Sequence, residues 1–348
     1  MISADERMAD SKTTRSTTRS LKPHEVLDFE KPIHELESKI AELEALSTDS
    51  SLRLAGEITP LKARLDRLVE EVFRAISPWQ QVQVARAVGR PLAEDFTEGI
   101  ADELLELHGD RGFRDDFAML TALARIGEHR VLIVAQRKGR DTKEKIRAHF
   151  GCPHPEGYRK ALRKMRLAEK FGLPIVSLIN TPGAYPGIGA EERGQGWAIA
   201  ENLQAMFGLK VPVVCVVVSE GGSGGALGIG IGDRVLMMEH AYYSVISPEG
   251  CAAILWGDAK RAPDAAKALR LSSSDLLKFG VVDQVLMEPV GAAHRAPARA
   301  IQEMKAAIEA HLRDLKRIPM AELLEARQKK FRAMGTLFAT LPESGATR

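Results

Sequence analysis

The chain carries 348 residues, 45% of them hydrophobic and 28% charged, with a formal net charge of +2 at pH 7. That balance excludes a fibrous or wholly disordered chain, and the length suffices for one large α/β domain with an appendage. The longest apolar runs are too short to cross a bilayer, and the three cysteines (Cys152, Cys215, Cys251) include no Cys-x-x-Cys pair, so neither a disulfide framework nor a four-cysteine zinc site fits.

Residues 1–22 are rich in Ser, Thr, Lys and Arg with almost nothing to bury, the composition of a mobile tail. No apolar core of a signal peptide follows Met1, so the expected compartment is the cytoplasm. Residues 23–90 read as a helical region. Ile33, Leu36, Ile40, Leu43 and Leu46 form one stripe, and Ile58, Leu61, Leu65, Leu68, Val72 and Ile76 a second. Steps of three and four in both predict a helical hairpin. Thr59-Pro60 reads as the N-cap and first-turn proline of the second helix.

Residues 91–296 read as an α/β body. Val131 to Ala135, Pro174 to Ile179 and Val211 to Val218 are apolar, β-rich runs, with helical stretches from about Tyr158 to Phe171 and Glu191 to Phe207 between them. Parallel strands joined by crossover helices satisfy that rhythm most simply. Further strands are expected at Arg234 to Met238, Tyr242 to Ile246 and Val281 to Leu286, with helices after Ser247-Pro248 and Asp264. Residues 297–348 form a last helical region, helical throughout from Pro297 to about Met334.

Glycine is concentrated: 13 of the 29 glycines fall in the 50 residues from Gly183 to Gly232. Ten of the 13 sit in two loops that follow strands, Asn180 to Ala190 and Ser219 to Gly232, which come together if those strands are neighbours. Backbone without Cβ atoms can press close to a ligand and present N–H groups to an oxygen gaining negative charge, so the active part is expected to be main chain. A second bias is electrostatic. From Arg137 to Lys170 there are 12 Lys or Arg against 4 Asp or Glu, a field that attracts phosphates or an acidic partner. Arg159, Arg163 and Arg166 recur at helical spacing, so part of that run is the wet side of an amphipathic helix. Aromatics at 5% and no recognised binding fold argue against a nucleic-acid role.

Six motifs carry a resemblance. Lys138-Gly-Arg-Asp-Thr-Lys-Glu-Lys-Ile146, Pro155-Glu-Gly-Tyr-Arg-Lys-Ala-Leu162, Thr181-Pro-Gly-Ala-Tyr-Pro-Gly187, Ala190-Glu-Glu-Arg-Gly-Gln195, Glu220-Gly-Gly-Ser-Gly-Gly-Ala226 and Tyr243-Ser-Val-Ile-Ser-Pro-Glu-Gly-Cys251 stand in uninterrupted order. Together, over roughly Leu27 to Met334, the chain resembles the alpha subunit of bacterial acetyl-CoA carboxylase carboxyltransferase. It departs from that family's pattern at Asn180, where Asp is usual. The resemblance implies a crotonase-like (ClpP/crotonase) fold of repeated β-β-α units and transfer of a carboxyl group from biotin, carried on a separate protein, to acetyl-CoA. The product is malonyl-CoA, the first committed intermediate of fatty acid synthesis.

By the same resemblance, Gly224 and Gly225 donate to the biotin oxyanion, helped by the dipole of the helix they begin. Gly183, Ala184, Tyr185, Gly221, Gly222 and Ser223 would line the substrate side, and Arg137, Lys138 and Arg140 would hold coenzyme A phosphates or the acidic carrier. The freed biotin nitrogen would take the acetyl proton, so no catalytic histidine is expected. No Met-Lys-Met acceptor for biotin and no zinc ligand set is present, so biotin must arrive on the carrier protein and zinc is expected only on a beta subunit. The implied partners are that subunit, in an α2β2 heterotetramer, the biotin carboxyl carrier protein and the ATP-dependent biotin carboxylase.

Three other readings compete. Gly221-Gly-Ser223-Gly-Gly225 satisfies the Gly-x-Ser-x-Gly elbow of serine hydrolases, with Asp283 and His294 in triad order, although His294 also reads as a surface or helix-capping residue. Acyl-CoA hydration would need carboxylates, for which Glu220 and Glu249 are candidates. A non-enzymatic scaffold would leave the glycines to packing alone.

Overall fold

The computed structural model describes residues 25–49 and 55–335; the expected N-terminal tail and the last residues of the C-terminal region lie outside them. The first helices, α1 (Lys31–Asp49) and α2 (Ala55–Arg74), pack as the expected hairpin, burying Ile33, Ile40, Val69 and Phe73. Pro60 is not a first-turn residue. The helix begins at Ala55, so the proline stands in its interior on an exposed face, where the Gly56 carbonyl that loses its partner is open to water. Next come α3 (Pro78–Ala85), capped by the Ser77 side chain, and α4 (Ala93–Ile100).

Three strands follow: β1 (Glu103–Glu106), β2 (Met119–Ile126) and β3 (His129–Gln136), paired antiparallel. After α5 (Thr142–Arg147) and α6 (Pro155–Lys170) the order is β4 (Ile175–Thr181), α7 (Ile188–Glu192), α8 (Gln195–Gly208), β5 (Val213–Gly222) and α9 (Ser223–Leu227). Then come β6 (Arg234–Met238), β7 (Tyr242–Ser244), α10 (Pro248–Trp256), α11 (Ala262–Leu269), α12 (Ser273–Lys278) and β8 (Gln284–Leu286). The helices α13 (Pro297–Leu315) and α14 (Met320–Ala333) are separated at Lys316 to Pro319, where Pro319 cannot continue a helix, so the C-terminal region is two helices.

The eight strands make one sheet in the order β1-β2-β3-β4-β5-β6-β8, with β7 paired to the end of β5. From β3 onward the pairs are parallel. Every residue of β4 and β5 is buried, as their unbroken apolar runs require of strands covered on both faces. In the cover, α6 packs on β2 and β3, α4 on β3 and β4, and α13 on β5 and β8. Met304, Ile308 and Leu312 of α13 belong to the same apolar core as Val214 and Val216 of β5.

Candidate active site

The neighbouring strands β4 and β5 release both glycine loops at one end of the sheet. Their register runs from Ile175↔Val213 to Ile179↔Val217 and then jumps to Thr181↔Gly221, so β4 advances two residues while β5 advances four. The surplus is a bulge over Val218 to Glu220, which turns the end of β5 toward the first loop. There the loops touch. A Cβ at Gly222 would overlap the Pro182 carbonyl, and one at Gly225 would overlap the backbone of Gly183 and Ala184. Only glycine permits that approach. The Gly225 carbonyl is fixed as well, accepting from Gln136 Nε2 at 2.7 Å and the Tyr158 hydroxyl at 3.1 Å. Across the contact, the Thr181 hydroxyl accepts from the Gly183 amide at 3.0 Å and donates to the Gly151 carbonyl at 2.6 Å.

Gly224 differs from both neighbours. The nearest atom to a Cβ built there is Ile199 Cδ1, at 3.9 Å. This open side faces a cavity of about 390 Å³ lined by residues 182–184, Ile199, 223–225 and 245–247. As the first residues of a helix, Gly224 and Gly225 have no intrahelical acceptor for their amides, whereas the Gly222↔Ser244 pairing turns the Ser223 amide toward β7. Ser223 itself sits at φ +55°, a left-handed conformation costly for a residue with a side chain. The helix α9 has only five residues, so its macrodipole adds little and the amides themselves are the donors.

Behind the loop lies a buried charge cluster. The Glu220 carboxylate accepts from Arg86 Nε at 2.6 Å, from the Tyr242 hydroxyl at 2.6 Å and from Lys138 Nζ. Arg86 also donates to Glu249 at 2.5 Å and to the Tyr242 oxygen at 3.0 Å. Burial, with the positive charge of Arg86 adding to it, pushes the Lys138 amine down to about 7. One turn further on, Arg90 donates to the Ser219 hydroxyl at 2.9 Å and the Val218 carbonyl at 3.0 Å, and forms a fork to Glu288 at 2.6 and 2.8 Å. Burial opposes ionisation of Glu288, but the Arg90 guanidinium outweighs it and holds the carboxyl at about 2.

Of the residues singled out from sequence, Gly183, Ala184, Ser223, Gly224 and Gly225 meet at the cavity. Gly221 lies under the Tyr243 ring and Gly222 against Pro182. The Tyr185 ring instead stacks on His154, centroids 4.1 Å apart. Each of the three cations has a carboxylate partner: Arg137 with Glu106, Lys138 with Glu220, Arg140 with Asp95 and Glu98. No hydrolase triad forms. His294 is fully buried rather than a surface or capping residue, bonded to Glu30 at 2.9 Å, and Asp283 accepts from the Val235 amide and Lys330. Sequence reasoning missed Arg86, Arg90, Gln136 and Tyr158; two arginines four apart in Val84 to Leu92, which has no other polar side chain, mark the segment but not the partners it holds.

No helix among the described residues is long and apolar enough to cross a membrane. The family described as "acetyl co-enzyme A carboxylase carboxyltransferase-like" matches residues 26–335. The acetyl-coenzyme A carboxylase carboxyl transferase subunit alpha of Thermus thermophilus is 52% identical over 309 residues, covering 89% of this chain and 98% of that one. Its namesake from Methylococcus capsulatus is 52% identical over 309 residues, covering 89% and 96%. Among solved structures, the Pseudomonas malonate decarboxylase MdcD–MdcE hetero-dimer gives a TM-score of 0.52 at 17% identity, covering 69% of this chain and 92% of that one. The geranyl-CoA carboxylase beta subunit of P. aeruginosa gives 0.50 at 14% identity, covering 69% and 42%. These structural likenesses bear on the fold alone and agree with the expected crotonase-like architecture.

Proposed function

The chain belongs to the acetyl-coenzyme A carboxylase carboxyltransferase family, and on that premise we propose that it is the alpha subunit, passing a carboxyl group from carried biotin to acetyl-CoA to give malonyl-CoA. The observation that carries this reading is the pair of first-turn amides at Gly224 and Gly225, which no intrahelical bond claims, open to the cavity on the side of Gly224. Biotin is a substrate here, borne on the carrier protein, and this chain's task is to accept the charge that develops on its ureido oxygen as the carboxyl group leaves. Backbone donors fixed before the reaction need no reorganisation, and one such donor contributes about 3 kcal/mol, or roughly a hundredfold in rate. The Gly225 carbonyl, held by Gln136 and Tyr158, fixes the peptide that follows the two donors, between Gly225 and Ala226.

This surface is half of a site. Val245 lines the cavity yet is 77% exposed, an apolar rim suited to a covering subunit. The zinc-bearing beta subunit fills that role, the assembly being α2β2, cytoplasmic, and served by the carrier protein and biotin carboxylase. Arg137, Lys138 and Arg140 serve the architecture rather than coenzyme A, since their charges are already met. The test is malonyl-CoA-dependent carboxylation of biocytin by this chain with and without the zinc-bearing subunit. Turnover is expected only from the mixture; turnover by this chain alone would contradict the half-site reading.

A further inference from the structure

We propose that Arg86 is a positioning residue for the Gly224 and Gly225 amides, acting through Glu220 at the β5 bulge. The proposal rests on the oxyanion reading above. Over the bulge β5 loses its regular ladder with β4, and besides its three pairs with β7 it needs side chains from outside the sheet to hold it. Here two arginines from the segment between α3 and α4 do so. Arg90 takes the Val218 carbonyl and the Ser219 hydroxyl, and Arg86 takes the Glu220 carboxylate. Glu220 is three residues before Ser223, and the stretch between has little freedom because Gly221 and Gly222 are pinned under Tyr243 and against Pro182. Any tilt at Glu220 is therefore passed on to the amides.

The two anchors differ in kind. The side chains of Arg90 and Glu288 are 1% and 0% exposed, so that pair is part of the buried frame. Arg86 is 30% exposed, and its planar fork reaches three acceptors at once: Glu220, Glu249 and Tyr242. A lysine could replace the charge but not that geometry. Arg86 also joins β5 to the first turn of α10 and to β7, whose following loop, residues 245–247, forms the opposite wall of the cavity. The same guanidinium thus sets the donors and the wall facing them.

The experiment uses the complex with the zinc-bearing subunit and follows kcat, KM for biocytin and melting temperature for Arg86→Met, Arg86→Lys, Gly224→Ala and a remote destabilised control, Leu323→Ala. Expected is a fall in kcat of about tenfold or more for Arg86→Met, a smaller fall for Arg86→Lys, and KM within about twofold, the signature of interactions made in the transition state. Leu323→Ala should match or exceed the loss of melting temperature and keep kcat. Should Arg86→Met fail to fold, Glu220→Gln, which keeps the shape and weakens the same link, takes its place with the same expectation. Unchanged kcat, a rise in KM alone, or an equal fall in kcat for Leu323→Ala overturns the proposal. If Gly224→Ala loses activity and Arg86→Met does not, only the positioning role falls; if neither loses activity, the oxyanion reading falls with it.

Discussion

The two halves of β5 are held in opposite ways. From Val213 to Val217 the strand is regular, apolar and buried between ladders on both sides, and its place follows from burial and backbone pairing. From Val218 to Gly222 the β4 ladder slips, pairing passes to β7, the side chains become Ser, Glu and Gly, and position is set as well by guanidinium forks and a tyrosine hydroxyl. The first half is stable through many small contacts and tolerant of any one loss. The second depends on a few directional contacts, each of which matters.

The largest expected break in that comparison comes at the buried fork. Glu288→Gln leaves Arg90 buried without its counter-charge and should cost about 3–5 kcal/mol in urea unfolding at pH 7. The pH dependence has a definite sign: a carboxyl held at about 2 in the folded chain contributes stability that is complete above its ordinary unfolded value near 4.5 and is lost as pH falls through about 2. The gap between wild type and Glu288→Gln should therefore close on acidification over that window, and a gap independent of pH would show that Arg90 does not set the ionisation. Next in size is Gly225→Val, where the clash is with backbone rather than a movable side chain; about 3 kcal/mol of stability and nearly all turnover should go together. For that reason Gly225 is a poor position at which to separate catalysis from assembly.

Gly224→Ala makes that separation. The new methyl group leaves the amide in place and meets nothing nearer than 3.9 Å, so melting temperature should hold within about 1 °C, while its intrusion into the cavity where the oxyanion must sit should lower kcat roughly thirtyfold, equivalent to about 2 kcal/mol. Smallest is Val214→Ala in the regular half, expected to cost about 1.5 kcal/mol of stability and to leave kcat unchanged. If Val214→Ala lowered kcat as much as Gly224→Ala, the division between the halves would be wrong.

What could be read from the chain divides along the same line. Val131 to Ala135, Pro174 to Ile179 and Arg234 to Met238 locate their strands to within two residues, because strands buried on both faces are written as unbroken apolar runs. β1 was not legible: Glu103–Glu106 is a short edge strand with Leu105 63% exposed, so burial leaves no pattern in it. In β5 the apolar run stops at Val218, and the strand continues through Gly222 because it pairs with β7 and side chains from elsewhere hold it. The glycines of the site could be seen, since close approach demands them locally. The arginines could not, for Arg86 and Glu220 are 134 residues apart and no local periodicity records a contact of that span.

The Arg90–Glu288 fork also orders events during synthesis. Arg90 leaves the ribosome long before its carboxylate, which lies 198 residues further along the chain. Until Glu288 is translated, the guanidinium that must clasp Val218 and Ser219 has no counter-ion to make its burial tolerable. A nascent chain can therefore assemble β3, β4 and the regular part of β5 early, while the anion-binding turn must wait, which delays competence for turnover until nearly the whole polypeptide has emerged.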